Sequence, residues 1–231
     1  METSKNPQWK QLLLAIVAIC ISILLTFGTA ACIQHRQKVK NTRQTVLMAI
    51  KDIDSFKSQL QMFQDEYFIK WGKDIEELQS LSRESILKLS DQEREKYWEA
   101  LVTPLSLTRN KIVENIFSND INLLQEIGNF SFIQKVGDGY SLIADIEKNI
   151  KIKMDEKGEI EKYFDTNYDW KSMSDGERLV TFMNLKEVKR YMDDLCGGFI
   201  PYIHYSIEDV GEYVDECMKM MNVSEEELAK Q

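Results

Sequence analysis

Apolar side chains are distributed along the chain in three patterns. The first is a continuous run: residues 11–34 carry no charged side chain. As a helix, residues 12–33 would extend roughly 33 Å, the thickness of a bilayer's hydrocarbon core. Trp9 stands at one edge, where an interfacial aromatic belongs, and Lys10 and the run from Arg36 can snorkel at the two ends. This predicts a short tail at 1–10 and a transmembrane helix at 11–35. The second pattern is a stripe. Val46, Ile50, Ile53, Phe56, Leu60, Phe63, Tyr67, Trp71, Ile75, Leu78 and Leu81 follow one another at steps of three or four. That spacing is one face of a long amphipathic helix, set within 36–90 behind a basic collar. The stripe is wider and more aromatic than a coiled-coil seam, so it should pack against other helices. Gly72 marks an expected kink or break.

The third pattern, over 91–231, is a series of shorter helices packing with 45–90. "SDQE" at 90–93 is a capping box that opens a helix through Tyr97, Trp98 and Leu101, and Pro104 ends it. A second long helix is expected at 105–117. "SNDINLLQEIGNF" reads as a cap, a short helix with Leu123, Leu124 and Ile127 inward, and a stop at Gly128. "GDGYSLIADIEKNI" reads as a loop followed by a helix. At 150–160, Ile150, Ile152 and Met154 alternate with lysines before "DEKG", so a small hairpin competes with helix there, and the Glu/Lys content favours helix. The polar run at 165–177 reads as the longest loop. Leu179, Phe182, Leu185, Val188, Met192 and Leu195 mark a helix that Gly197 and Gly198 should stop. "SIED" at 206–209 is expected to cap the next helix, striped by Val210, Tyr213, Val214, Cys217, Met218 and Met221. "SEEELAK" at 224–230 reads as a final capped turn. The expected fold class is all-α: one N-terminal transmembrane helix, then a helical bundle.

Composition agrees. Three prolines and ten glycines in 231 residues leave long stretches free to be helical. Charge is placed unevenly. Residues 1–44 hold Lys5, Lys10, Arg36, Lys38, Lys40 and Arg43 against Glu2 alone, a net +5, so of the total of −9 the remainder carries −14. A body that acidic repels phosphate backbones, which argues against nucleic acid as a partner. The collar of Arg36, Lys38, Lys40 and Arg43 suits anionic lipid headgroups, each charge contributing about 1 kcal/mol. Four Lys or Arg after the span against two before it lean the body toward the cytoplasm, with the periplasm left open. Cys196 and Cys217 would be free thiols in the first compartment and able to pair in the second.

A lipoprotein signal is the rival for the N-terminus, because "GTAAC" at 28–32 sets small residues before Cys32. Thr29 stands where a larger aliphatic residue is usual, the apolar run exceeds a signal's core, and the residues after Cys32 are basic and helix-forming. The span is the better reading, and Cys20 and Cys32 are then small apolar residues within it.

"LLLAIVAICISILLTFGTAACIQHRQKVKNTRQTVLMAIKDID" together with "FSNDINLLQEIGNFSFIQKVGDGYSLIADI" resembles a family of uncharacterised single-span membrane proteins of Bacteroidetes-type bacteria. The likeness covers about residues 12–54 and 117–146. It departs at the end of the span, where that family often has an Asn-Trp-Asn-type stretch and this chain has "CIQHRQ". It implies a helical protein anchored in the inner membrane, and no active-site residues.

Chemistry-bearing motifs are sparse. His35 lies at the membrane edge. His204 follows Cys196 by eight residues, and a Cys–His pair could form a nucleophile if the fold brought the two together. Cysteines on apolar helix faces are more often inert. The acidic runs at 193–194 and 225–227 read as solvated helix faces, and "GDG" at 137–139 lacks the Lys and Ser/Thr of a phosphate loop. No catalytic, cofactor or metal residues are assigned. The reading is a non-enzymatic, membrane-anchored interaction or scaffold protein, with a protein partner or a second copy of itself. A sensory module with a ligand- or partner-binding body, relying on a partner for its effector, and a thiol- or carboxylate-dependent hydrolase are the alternatives.

Overall fold

The computed structural model describes the backbone of residues 7–230 and the side chains of 32–230 except 121 and 123. The chain divides into two compact units, 1–46 and 47–231. The regular structure among the described residues is all helical, with no strand. Helix α1 spans Pro7–Phe63. Among the described residues no helix is long and apolar enough to cross a membrane. The predicted span at 11–35 falls on α1, but its side chains up to residue 31 lie outside the described residues.

In the second unit α1 passes through a π turn at Gln64–Phe68 into α2, Ile69–Ser80. The turn adds a residue to the helical repeat, so the inward position moves from the expected Tyr67, which is half-buried, to Phe68, which is fully buried. Past it the stripe resumes with Trp71, Ile75 and Leu78, all buried. Gly72 breaks nothing. It sits inside α2, where a Cβ would lie 2.8 Å from Ile200 Cδ1.

Helices α3, Arg83–Leu87, and α4, Asp91–Val102, follow, the latter with the predicted Ser90–Glu93 capping box complete. No helix spans 105–117. Residues 103–111 have no regular structure, and α5 begins only at Ile112, ending at Asn119. Pro104 stops α4, and the chain then alternates half-buried Leu105, Leu107 and Arg109 with exposed Ser106 and Thr108. After α6, Ile121–Ile127, Gly128 adopts φ +65° as the expected stop, with Leu124 and Ile127 half-buried and Leu123 outside the described side chains.

Helix α7 then runs unbroken over Phe130–Asn167. There is no hairpin at 150–160 and no loop at 137. Ile143, Ile146, Ile150, Met154, Ile160 and Phe164 are all buried, so a helical stripe wins over the short β alternation of Ile150, Ile152 and Met154. Gly139 lets α7 come close to α1: a Cβ there would lie 3.2 Å from Ile53. Lys157 of α7 lies over Trp71, so α7 runs parallel to α1 and α2.

The expected long loop at 165–177 is shorter than predicted. It holds a 3-10 turn at Trp170–Ser172, and Ser174 and Glu177 form a second capping box on α8, Asp175–Met183. The stripe from Leu179 to Leu195 is divided between α8 and α9, Lys186–Asp194. Gly197 and Gly198 do not stop the helix. They lie in a second π turn, Leu195–Phe199, that leads directly into α10, Ile200–Met221. "SIED" is therefore no cap: Ser206 is interior to α10 and buried. Helix α10 runs antiparallel to α1 and α2, with Gly211 against Lys57 and Ile200 against Gly72. The two π turns face each other through an edge-on pair of Phe68 and Phe199, centroids 5.4 Å apart. The capped α11, Glu225–Ala229, ends the described chain.

Candidate functional site

The α4–α8 contact carries the most unusual grouping. Trp98 projects from α4 and is held by Phe182 of α8, centroids 4.9 Å apart, and by Phe164 of α7 at 6.5 Å. Trp170 comes from the 3-10 turn. Between the two indoles lies the Arg178 guanidinium of α8, 4.3 Å from each ring centroid. With an indole at this distance on each side, the guanidinium N–H groups are left to find acceptors around its edge. That edge donates to no group among the described residues, and Nε is buried without a partner. The guanidinium borders a cavity of about 220 Å³, open on one side, with Trp98 and Leu179 as its apolar floor. Arg94, Asp91, Glu95 and Asp175 make its rim, and Arg94 pairs with Asp91. Both α4 and α8 begin at this cavity, with Asp91 and Asp175 as their first residues.

A second grouping is fully enclosed. Lys157 is 2% exposed, donates to the Thr103 carbonyl at 2.7 Å and stands 3.8 Å from the Trp71 ring centroid. Burial pulls its pKa down to about 7, against the smaller opposing pull of Glu161 and Glu99. A lysine of this kind is a potential nucleophile, but it lines none of the cavities described here. Lys153, one turn earlier, pairs with Glu156 and Asp194 instead.

The residues singled out in the sequence do not converge. Cys196 lies in the second π turn with its Sγ 3.8 Å from the Gly72 carbonyl, and burial pushes its thiol up to about 11. His204 reaches Gln64 with Nδ1 at 3.4 Å and Glu208 with Nε2 at 3.6 Å. Eight residues of continuous helical path separate the two by about 12 Å, and no hydrogen bond joins them. The Cys196 Sγ contacts the Gly72 carbonyl and not an imidazole, and the carboxylates of Glu76 and Asp193 that act on it raise its pKa further, which disfavours a thiolate. Cys217 is buried in the core, its thiol pushed up to about 12. Asp193 accepts from Gln79, Asp194 pairs with Lys153, and the acidic run at 225–227 forms the first turn of α11. Among the described residues no group of three or more His, Cys, Asp or Glu is placed to hold a metal ion. His35, Arg36 and Lys40 are exposed.

Trp98 was read only as a position of its helix, and Arg178, Trp170 and Lys157 were not singled out in the sequence. The first three are joined only by tertiary packing, so no local spacing links them. Lys157 did leave a trace: in a helix it falls three residues after Met154 and three before Ile160, on the buried face.

No family model, curated protein or solved structure matches the chain.

Proposed function

We propose that this chain is a non-enzymatic, membrane-anchored interaction module: an acidic helical bundle held at a bacterial inner membrane by residues 12–33. The observation that carries the proposal is the uncharged run at 11–34 within α1, closed by Lys10 on one side and the Arg36, Lys38, Lys40 and Arg43 collar on the other. The same basic excess supports a body on the cytoplasmic side. The net −14 carried beyond residue 44 supports a basic protein surface, and not a nucleic acid, as partner. The likeness to single-span bacterial membrane proteins is in keeping with this role.

Alkaline carbonate extraction of membranes tests the anchor. Retention in the pellet is expected, and release into the supernatant would overturn it. Orientation is read with a Lys230→Cys reporter in a chain whose native cysteines are replaced. An impermeant maleimide should label it only after the cells are permeabilised.

The cavity beside Arg178 favours a second reading, in which the bundle is the ligand-binding body of a sensory module. The hydrolase reading loses its thiol–base pair, since Cys196 and His204 bond to different groups.

A further inference from the structure

The charges around the Arg178 cavity are of both signs, and that limits what could enter. Arg178 offers a planar fork of donors, with its guanidinium 4.3 Å from the ring centroids of both Trp98 and Trp170. A carboxylate meets such a fork with two parallel hydrogen bonds. A ligand bearing only negative charge would also face Glu95 and Asp175, both exposed on the rim, and Asp91, which is already engaged by Arg94. A ligand bearing only positive charge would face two guanidiniums. A small molecule with a carboxylate and an ammonium group meets both conditions. Its remaining surface would rest on Trp98 and on Leu179, which is buried.

We propose that this cavity binds a free α-amino acid with an apolar side chain. The carboxylate lies edge-on to Arg178, the ammonium group between Glu95 and Asp175, and the side chain against Trp98. The cavity volume of about 220 Å³ admits a molecule of that size and no folded partner. One observation supports a site over a purely structural stack. Arg178 makes no hydrogen bond to Asp175 or Glu95, although both border the same cavity, and the carboxylate that acts on it electrostatically is Glu161 of α7. The inference deepens the sensory reading and is independent of the anchor, so the carbonate extraction and the titration below can fail separately.

The test is calorimetric titration of the full chain in detergent with L-phenylalanine and L-leucine, alongside 3-phenylpropanoate, which lacks the ammonium group, and phenethylamine, which lacks the carboxylate. Saturable binding of an amino acid is expected, with both truncated probes at least about tenfold weaker. Arg178→Gln should abolish binding with helical circular dichroism unchanged. Arg178→Lys, which keeps the charge and loses the fork, should weaken it by about tenfold or more. Should Arg178→Gln unfold, Asp175→Asn takes its place and is expected to weaken the amino acid while strengthening 3-phenylpropanoate, whose carboxylate no longer faces that charge. No saturation by either amino acid up to about 10 mM would overturn the proposal. So would equal affinity for 3-phenylpropanoate, which would make this an anion site alone.

Discussion

The ammonium group of Lys157 stands 3.8 Å from the centre of the Trp71 ring, with the Thr103 carbonyl as its one hydrogen-bond acceptor among the described residues. The ring face and the carbonyl stabilise the charge, but neither replaces water, and the pKa falls from 10.5 to about 7. The direction of the pH effect follows. Below about pH 7 the lysine is protonated in native and unfolded chains alike, and the fold carries the full desolvation cost. Between about 7 and 10.5 the unfolded chain binds more protons than the native one. Stability therefore rises with pH, by at most about 1.4 kcal/mol per unit. Lys157→Met keeps the volume and removes the charge. Compared with the parent, its advantage in denaturant midpoint should be largest near pH 6.5 and shrink steadily toward about pH 10. The variant also leaves the Thr103 carbonyl without its donor, so the pH trend and not the absolute midpoint is the readout. Parallel curves for the two proteins would mean Lys157 titrates normally.

Gly72 and Ile200 mark the closest approach of α2 and α10 among the glycine contacts, since a Cβ at 72 would lie 2.8 Å from Ile200 Cδ1. Gly72→Val should cost about 1–3 kcal/mol through overpacking. Ile200→Val removes the atom in the way. The double variant should regain more than the sum of the singles predicts, by about 0.5 kcal/mol or more in a thermodynamic cycle. Strict additivity would show that the Gly72→Val cost comes from elsewhere in the helix.

Helical content was legible in the sequence because the stripes of α1, α2 and α10 repeat over many turns, so single exceptions do not obscure them. What was not legible depended on a second segment. Gly197 and Gly198 read as a stop, yet they sit in a π turn packed through Phe199 against Phe68 of the other π turn, a contact spanning 131 residues. The shift from Tyr67 to Phe68 has the same origin. Residues 105–111 were expected to open a helix, but their apolar residues, Leu105 and Leu107, stand two apart, and Pro104 and the anchoring of Arg109 hold the segment irregular. The Arg178 cavity was invisible for a related reason: Trp98 is 80 positions from Arg178.

Ser174 and Ser206 show how context decides a local motif. Both are serines followed three residues later by an acid. Ser174 sits at a true N-terminus, with extended backbone and its Oγ accepting from the Glu177 N–H, whereas Ser206 follows residues already helical since Ile200. Ser174→Ala should therefore destabilise by about 1 kcal/mol, and Ser206→Ala by no more than about 0.5 kcal/mol. Thermal or urea unfolding of the two variants separates them. Equal losses would mean that the buried Ser206 hydroxyl makes an energetic contribution of its own.

Arg109 is the tie that holds the irregular segment to the bundle. Its side chain is 5% exposed and pairs with Asp52 of α1 at 3.2 Å, with Glu114 of α5, and with Glu147 of α7 at 3.5 Å. Removing it leaves three carboxylates facing one another, with Lys111 beside Glu147 and the Tyr140 hydroxyl beside Asp52 to offset them. Burial already pushes the Asp52 carboxyl up despite the guanidinium. Arg109→Met should cost about 3 kcal/mol and loosen residues 103–111. Arg109→Lys, which keeps one charge but cannot fork to three acceptors, should fall between the two. Part of the Arg109→Met loss should return at acid pH, where the Asp52 carboxyl, already pushed up by burial, protonates and stops repelling its neighbours. Limited chymotrypsin digestion reads the local effect, with faster cleavage after Leu105 or Leu107 expected in Arg109→Met and an intermediate rate in Arg109→Lys. Unchanged cleavage in both would assign the anchoring of the segment to Leu105 and Leu107 against α7, leaving the ion pairs at its edge without a structural role.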